Sequence, residues 1–125
     1  MNIEDLRDRC LNVKHAEEST PFGEDVLVYK VMNKMFALIP LRPKNAEYFV
    51  ALKCDPEKSR ELREKYTGIT KGFYAGESLL WNSVHIQNDV PDTLIIELIG
   101  HSADEVLKKL SKKKQAEYRA LDTNE

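Results

Sequence analysis

The sequence has few cysteines and no long apolar run. Cys10 and Cys54 lie far apart, which excludes a disulfide framework, and both fall on expected apolar faces, so we predict buried free thiols. No segment approaches the roughly 20 apolar residues that cross a membrane. Residues 2–9 carry five charges instead of a signal-peptide core. These absences predict a cytoplasmic protein with no membrane contact.

The sequence also lacks an excess of charge of one sign. Its 19 basic and 21 acidic residues give a net charge of -2, which argues against disorder and against the strongly basic class of nucleic-acid-binding domains. A chain of 125 residues is long enough for one domain with a real core. Positive charge is concentrated in residues 108–119, which is typical of a solvated tail or of a phosphate-binding segment.

Catalytic and metal-binding constellations are missing as well. His15, His85 and His101 are dispersed, without partners at ligand spacing. Ser83 lies two residues from His85, but no nucleophile-elbow motif surrounds it, and no phosphate-binding loop is present. We therefore predict no enzyme activity, no catalytic residues, no metal site and no cofactor.

The acidic residues near the N-terminus have two interpretations, a metal-binding cluster or a solvated helix face followed by a loop. The second is favoured because acidic runs usually lie on solvated surfaces. The residues concerned are Glu4, Asp5, Asp8, Glu17 and Glu18.

Local signals predict the first half of the fold. Asn2 caps a first helix. Residues 26–32 and 35–39 have the β-branched and aromatic content of a hairpin that turns at Asn33-Lys34. Residues 48–53 form a third strand, and Asp55-Pro56 begins a second helix, which ends near Tyr66.

Residues 79–88 hold the single tryptophan and predict a central strand. Alternation divides the strand between two faces of a sheet. One face carries Leu79, Trp81, Ser83 and His85, and the other carries Leu80, Asn82, Val84 and Ile86. Before this strand, residues 69–76 predict a loop or short strand anchored by Phe73 and Tyr74.

The last part of the chain predicts two helices. Pro91 begins one, Gly100 interrupts it, and Ser102 with Glu105 forms a capping box that begins the next. The order is helix, three strands, helix, one or two strands and two helices. Short connections between strands indicate an α+β domain with an antiparallel sheet flanked by helices. We predict one domain over residues 1–118 and a frayed tail over residues 119–125.

Eight residues are candidate nucleic-acid contacts. Lysines bind phosphates, and polar or aromatic side chains on a strand contact phosphates or bases. The alternative is that the strand residues stabilise the fold. The candidates are Lys71, Trp81, Asn82, Ser83, His85, Lys112, Lys113 and Lys114.

An ordered series of short motifs resembles the MmcQ/YjbR family across residues 1–118. The series is Pro-Phe-Gly at 21–23, Lys-Met-Phe-Ala-Leu at 34–38, Leu-Lys-Cys-Asp-Pro-Glu at 52–57, Glu-Leu-Arg-Glu-Lys-Tyr at 61–66, Gly-Phe at 72–73, Trp-Asn-Ser-Val at 81–84, Val-Pro at 90–91, and Leu-Ile at 98–99 with Ser102. The ordered set is specific, although each motif alone is not.

The resemblance implies a compact α+β fold similar to frataxin-like proteins and type III secretion chaperones. It also implies binding of double-stranded DNA, because the family's sheet is compared with the double-wing surface of a phage transcription factor. The chain departs from the family at residues 75–80, where a basic run is replaced and Glu77 is added, and at Ala103, where a tyrosine is common. The alternatives are a protein-interaction module that uses the sheet face and, by analogy with frataxin, metal or small-ligand binding. The sequence leaves the oligomeric state and the partner open.

Overall fold

The structure is a six-stranded antiparallel sheet with helices packed on one side. The computed structural model describes residues 1–43, 47–72 and 80–121. The helices are α1 (Ile3–Leu11), α2 (Pro56–Lys65), α3 (Asp92–Lys108) and α4 (Lys112–Ala120). The strands are β1 (Glu17–Ser19), β2 (Val26–Val31), β3 (Lys34–Pro40), β4 (Phe49–Lys53), β5 (Ile69–Lys71) and β6 (Trp81–His85). Their spatial order is β1-β2-β3-β4-β6-β5, with each neighbouring pair antiparallel. The predicted α+β class is confirmed.

Two of the predicted helix starts, at Asn2 and at Asp55, are confirmed by their cap hydrogen bonds. The Asn2 side chain accepts from the Asp5 backbone N–H at 2.8 Å, and the Asp55 carboxylate accepts from that of Lys58 at 3.1 Å. Both contacts satisfy an N–H group that would otherwise lack a helical partner. The local sequence therefore sets where α1 and α2 begin.

The predicted hairpin is formed by β2 and β3, but its turn lies one residue earlier than predicted. Met32 and Asn33 have φ values of 50° and 66°, the left-handed pair of conformations found in tight hairpin turns. Lys34 already belongs to β3, where it pairs with Val31. A register shift between Tyr29 and Lys30 adds a bulge to the hairpin.

Residues 17–19 form a strand, where the sequence predicted a loop. Glu17 pairs with Lys30 and Glu18 pairs with Tyr29, so β1 extends the sheet beyond β2. The prediction was wrong because a three-residue polar edge strand has no hydrophobic pattern. Pairing with β2 is what makes this segment extended.

Helix α3 runs without a break through Gly100, so the predicted interruption there is wrong. The predicted capping box is also wrong, because Ser102 lies inside α3 and is fully buried. The second helix of the predicted pair is instead formed by the basic segment, where the Ser111 side chain caps α4 by accepting from the Lys114 N–H at 3.2 Å. Of the predicted frayed tail over residues 119–125, Arg119 and Ala120 belong to α4, and residues 122–125 lie outside the described part of the chain.

Two apolar clusters occupy opposite faces of the sheet. The larger joins strand residues to α1, α2 and α3, with Leu6, Leu62 and Ile95 among its members. Cys10 and Cys54 belong to it as buried free thiols, as predicted, and burial raises the pKa of Cys10 to about 12. The smaller cluster consists of Val28, Leu38 and Ala51, with Val26, Met35 and Trp81 packed against it. We call the sheet face that carries this smaller cluster the open face, because no described helix contributes to the cluster, although Val28, Leu38 and Ala51 are themselves at most 1% exposed.

Among the described helices, none has the length and apolar character that a membrane-spanning segment requires.

Candidate nucleic-acid interface

Strand β6 carries four of the candidate residues, and they are divided between its two faces as alternation predicted. Asn82 and Val84 face the helices, whereas Trp81 and Ser83 face away from them. The Asn82 side chain donates to Ser59 Oγ at 3.0 Å and accepts from Arg63 Nε at 2.7 Å, and both partners belong to α2. Asn82 is 2% exposed and therefore holds α2 against the sheet.

Ser83 and His85 lie on the open face, but their accessibility is limited. Ser83 is buried and pairs across the sheet with Ala51 and Thr70. His85 pairs with Phe49, with the two ring centroids 5.4 Å apart. The Nδ1 atom of His85 is buried and has no hydrogen-bond partner in the described structure. Residues two apart on a strand are about 6.6 Å apart along its axis, so spacing alone does not bring this serine and histidine into contact.

Trp81 is the partly exposed member of the strand's central motif. Its backbone carbonyl accepts from Arg63 Nη2 at 2.9 Å and from the Gly72 N–H at 2.8 Å. Its side chain packs against the small cluster on the open face. Across the sheet it pairs directly with Lys53 on β4. The backbone is thus held firmly while part of the indole remains accessible.

Lys53 lies among other lysines at the end of the sheet where β6 begins. Burial and the ammonium groups of Lys109, Lys108 and Lys34 lower the pKa of Lys53, while the Glu105 carboxylate opposes them. These lysines come from three elements, namely the start of β3, the end of β4 and the C-terminus of α3. We call Lys34, Lys53, Lys108 and Lys109 the lysine end.

Glu105 is the buried carboxylate within this group. It forms a salt bridge with Lys108, and its Oε1 lies 3.5 Å from His101 Nε2. That same His101 nitrogen accepts from the Asp55 N–H at 3.2 Å. Glu105 therefore offsets part of the lysine charge, and His101 connects α3 to the start of α2.

The candidate lysines of α4 extend the same end of the molecule. Lys114 shares an open cavity with Met32 and Asn33, the turn residues that precede Lys34. Lys112 and Lys113 are exposed in the first turn of this helix. Helix α4 contains no buried residue and is attached by Tyr118, whose hydroxyl donates to the Lys14 carbonyl at 3.0 Å.

Lys71 ends β5 beside the start of β6. It is exposed and pairs with Asn82, one residue from Trp81. Residues 73–79, which separate these strands in the sequence, include Phe73, Tyr74, Glu77 and Leu79. Those residues lie outside the described part of the chain, and so does most of the segment 75–80 in which the family's basic run is replaced. Leu80, the last residue of that segment, is described and is exposed.

Acidic groups lie near the start of α3, at the opposite end of that helix from the lysine end. The N-terminal amine is 3.3 Å from Asp92 Oδ1, at the start of α3. Asp5 and Asp8 line the same open cavity as Asp92. Helix α3 runs from Asp92 to the lysine end. Charge is therefore distributed unevenly along this helix, although the net charge of the chain is only -2.

The acidic residues near the N-terminus do not converge on one point. Glu18 accepts from Arg7 Nη2 at 3.0 Å and from the buried Tyr29 hydroxyl. The hydrogen bond from Arg7 lowers the pKa of Glu18 against the opposing effect of burial. Within residues 1–43, 47–72 and 80–121, no three histidine, cysteine or acidic side chains are grouped as metal ligands.

The lysine end was missed in the sequence because its members are far apart in the chain. Lys34 follows a turn, Lys53 precedes a helix cap, and Lys109 follows an apolar helix face. No common period connects them. The available signal was the expected pairing of strands, which places the start of β3 beside the end of β4.

Comparisons with known proteins agree with this fold. The YjbR family model matches residues 11–104. The chain is 29% identical over 110 residues to the uncharacterised protein YbdF of Escherichia coli O157:H7, covering 88% of each chain. It is 24% identical over 115 residues to the uncharacterised protein YjbR of Escherichia coli strain K12, covering 92% of this chain and 95% of that one.

Two crystal structures are similar in fold. Deinococcus radiodurans protein DR2400, with a DUF419 domain, has a TM-score of 0.83 and 31% identity, covering 94% of this chain and 87% of that one. A Pseudomonas syringae protein has a TM-score of 0.72 and 20% identity, covering 84% of this chain and 98% of that one, and it supports the fold alone. With the family model spanning most of the chain, the protein belongs to the YjbR family.

Proposed function

We propose that the protein binds DNA through phosphate contacts made by the lysine end. The observation that carries the proposal is the placement of Lys34, Lys53, Lys108 and Lys109 at one end of the molecule, where the start of β3, the end of β4 and the C-terminus of α3 meet and Lys108 is paired with the buried Glu105. The proposal assigns no catalytic step and no cofactor to the chain, and it takes the protein to be cytoplasmic.

Like charges held together at the lysine end repel one another, and a polyanion relieves that repulsion. Burial is the largest cause that lowers the pKa of Lys53, and the ammonium groups of Lys109, Lys108 and Lys34 lower it further. DNA phosphates neutralise such lysines and release condensed counterions. The lysine end therefore favours a ligand with several phosphates.

The candidate residues contribute to this proposal in different ways. Lys71 and the α4 lysines extend the basic surface, and Trp81 adjoins it. Asn82 and Ser83 are buried, so the proposal gives them a role in the fold. The proposed DNA-binding surface therefore includes the end of the sheet as well as the open face.

A salt titration with a short fluorescent duplex tests the proposal. If about three lysines contact phosphates, log affinity falls against log salt with a slope of about -2.7, and a fourfold rise in salt weakens binding roughly 40-fold. Lys34→Ala and Lys109→Ala each reduce the slope by about 1. Both side chains are exposed, so neither change removes a core contact.

Lys65→Ala is the matched control. Lys65 ends α2 near Gly68, whose carbonyl accepts from the His85 N–H at the far end of β6. The control changes the net charge equally but leaves the lysine end intact, so we expect the wild-type slope. Absence of binding at low salt, or an equal loss in the control, overturns the proposal.

Protein interaction through the open face is a second candidate. The observation that favours it is the partly exposed apolar set of Val26, Met35 and Trp81, which borders the buried cluster of Val28, Leu38 and Ala51. Such a face can pair with a second copy or with another protein. Sedimentation across a concentration series tests self-association, and Met35→Lys should abolish it. If the wild-type protein stays monomeric and does not bind DNA, the form of this second candidate that remains is association with a different protein.

A further inference from the structure

We propose, resting on the DNA-binding function above, that the protein favours DNA with unpaired bases. A base stacks on Trp81 while the adjoining phosphates contact Lys53 and its neighbours at the lysine end. The juxtaposition that carries this inference is the direct cross-strand pairing of Trp81 with Lys53.

The pairing places an aromatic ring beside a phosphate-binding charge. Directly opposed residues on neighbouring strands have Cβ atoms about 5 Å apart. A nucleotide that contacts both must present a base face and a backbone phosphate within the span of two side chains. Single strands meet this requirement, since their bases can turn away from one another and stack on aromatic side chains.

Trp81 differs from its neighbours in a way that fits stacking. Asn82, Ser83 and Val84 are at most 4% exposed, whereas Trp81 is partly exposed at the charged end of the strand. Its carbonyl is held by Arg63 and by the Gly72 N–H, so the indole extends from a fixed backbone. A fixed platform loses little conformational freedom when a base stacks on it.

Duplex DNA cannot use this platform in the same way. Its bases are already paired and stacked, and extruding one carries a free-energy cost. Phosphate contacts at the lysine end are available to either form of DNA. Duplex and single-stranded DNA differ in charge density, so the contribution of Trp81 is measured by the preference for oligothymidine over an abasic single strand of equal phosphate count.

The protein supplies its own probe, because Trp81 is the one tryptophan in the chain. Oligothymidine, a duplex of equal phosphate count and an abasic oligomer are titrated at one salt concentration. Tryptophan emission and anisotropy of labelled DNA are measured. We expect oligothymidine to quench the emission and to bind roughly 5- to 150-fold more tightly than the abasic oligomer, the range that one stacked base supplies.

Two variants separate stacking from charge. Trp81→Leu should lose the preference for oligothymidine over the abasic oligomer, and circular dichroism of the variant reports whether the fold is intact. Lys109→Ala should weaken both forms equally. If Trp81→Leu fails to fold, the wild-type contrast between oligothymidine and the abasic oligomer still decides the question.

The outcomes distinguish this inference from the proposed function. Duplex binding with equal affinity for all three ligands and unchanged emission overturns the stacking role and retains DNA binding. Failure of every ligand to bind overturns both. Quenching by oligothymidine with loss of the preference in Trp81→Leu supports the inference.

Discussion

The Ser102 hydroxyl donates a hydrogen bond of 2.5 Å to the backbone carbonyl of Phe36, which connects the middle of α3 to strand β3. The same oxygen accepts from the Lys53 N–H on β4 at 2.8 Å. The β3–β4 pairing of Ala37 with Leu52 would next bring Phe36 opposite Lys53. Ser102 thus bridges two strands at the point where their direct pairing ends, and it positions Lys53 at the lysine end.

Ser102→Ala should destabilise the protein by about 1–3 kcal/mol, because it leaves a buried N–H and a buried carbonyl without their partner. The side chain is fully buried, so water cannot readily replace the hydroxyl. Urea unfolding followed by circular dichroism measures the change in the free energy of unfolding.

Ser111→Ala is a suitable comparison for that variant. Ser111 caps α4, which has no buried residue, so its loss should fray that helix and leave global unfolding almost unchanged. Equal stability losses in the two variants would contradict the bridging role of Ser102.

Asn82→Ala should cost about 2–4 kcal/mol, since it removes one hydrogen bond to the charged Arg63 and one to the buried Ser59. The exposed Asn12, at the end of α1, provides a control whose alanine variant should stay within about 0.5 kcal/mol of wild type. Thermal unfolding of both variants measures the difference. A stable Asn82→Ala protein with weaker DNA binding would instead make Asn82 a contact residue.

Local chemistry predicted those parts of the fold that depend on neighbouring residues. The caps at Asn2 and Asp55, the β2–β3 hairpin and the alternating faces of β6 follow from adjacent side chains. Tertiary contacts overrode local signals elsewhere. Ser102 has the spacing of a cap with Glu105, but burial against two strands uses its hydroxyl differently.

The candidate site was predicted less completely than the fold. Trp81 and the α4 lysines were identified, whereas Lys34 and Lys53 were not, because only the topology brings them near Lys109. Strand β1 was also missing from the sequence-based prediction, for a different reason. Strand β1 is extended because it pairs with β2, a cause that its own polar residues do not reveal.

The Glu18–Arg7 pair should make stability depend on acidity. The folded protein lowers the pKa of Glu18 from its ordinary value of 4.5, chiefly through the Arg7 hydrogen bond. This stabilisation is fully present above the unfolded pKa and is lost as the pH falls through the folded one. The free energy of unfolding of Glu18→Gln should therefore differ most from that of wild type near neutral pH and least at acidic pH.

Urea unfolding at several pH values between neutral and about 3 checks the Glu18 prediction. Arg7→Gln should reduce the same pH dependence, and the double variant should lose less stability than the two single losses combined. If the free energy of unfolding of Glu18→Gln differs from that of wild type by the same amount at every pH, the effect of the substitution comes from packing alone.

Gly100→Ala should stabilise the protein by about 0.5–1 kcal/mol, because alanine has the higher helix propensity and loses less backbone entropy on folding. Gly100 is an exposed interior position of α3, and a Cβ there would meet no atom within 4 Å. Gly72→Ala is the contrasting variant, since its Cβ would lie 2.7 Å from the Trp81 backbone oxygen. That change should destabilise the β5–β6 edge. Thermal denaturation of both variants should show opposite shifts, and destabilisation by Gly100→Ala would contradict the open surroundings of this position.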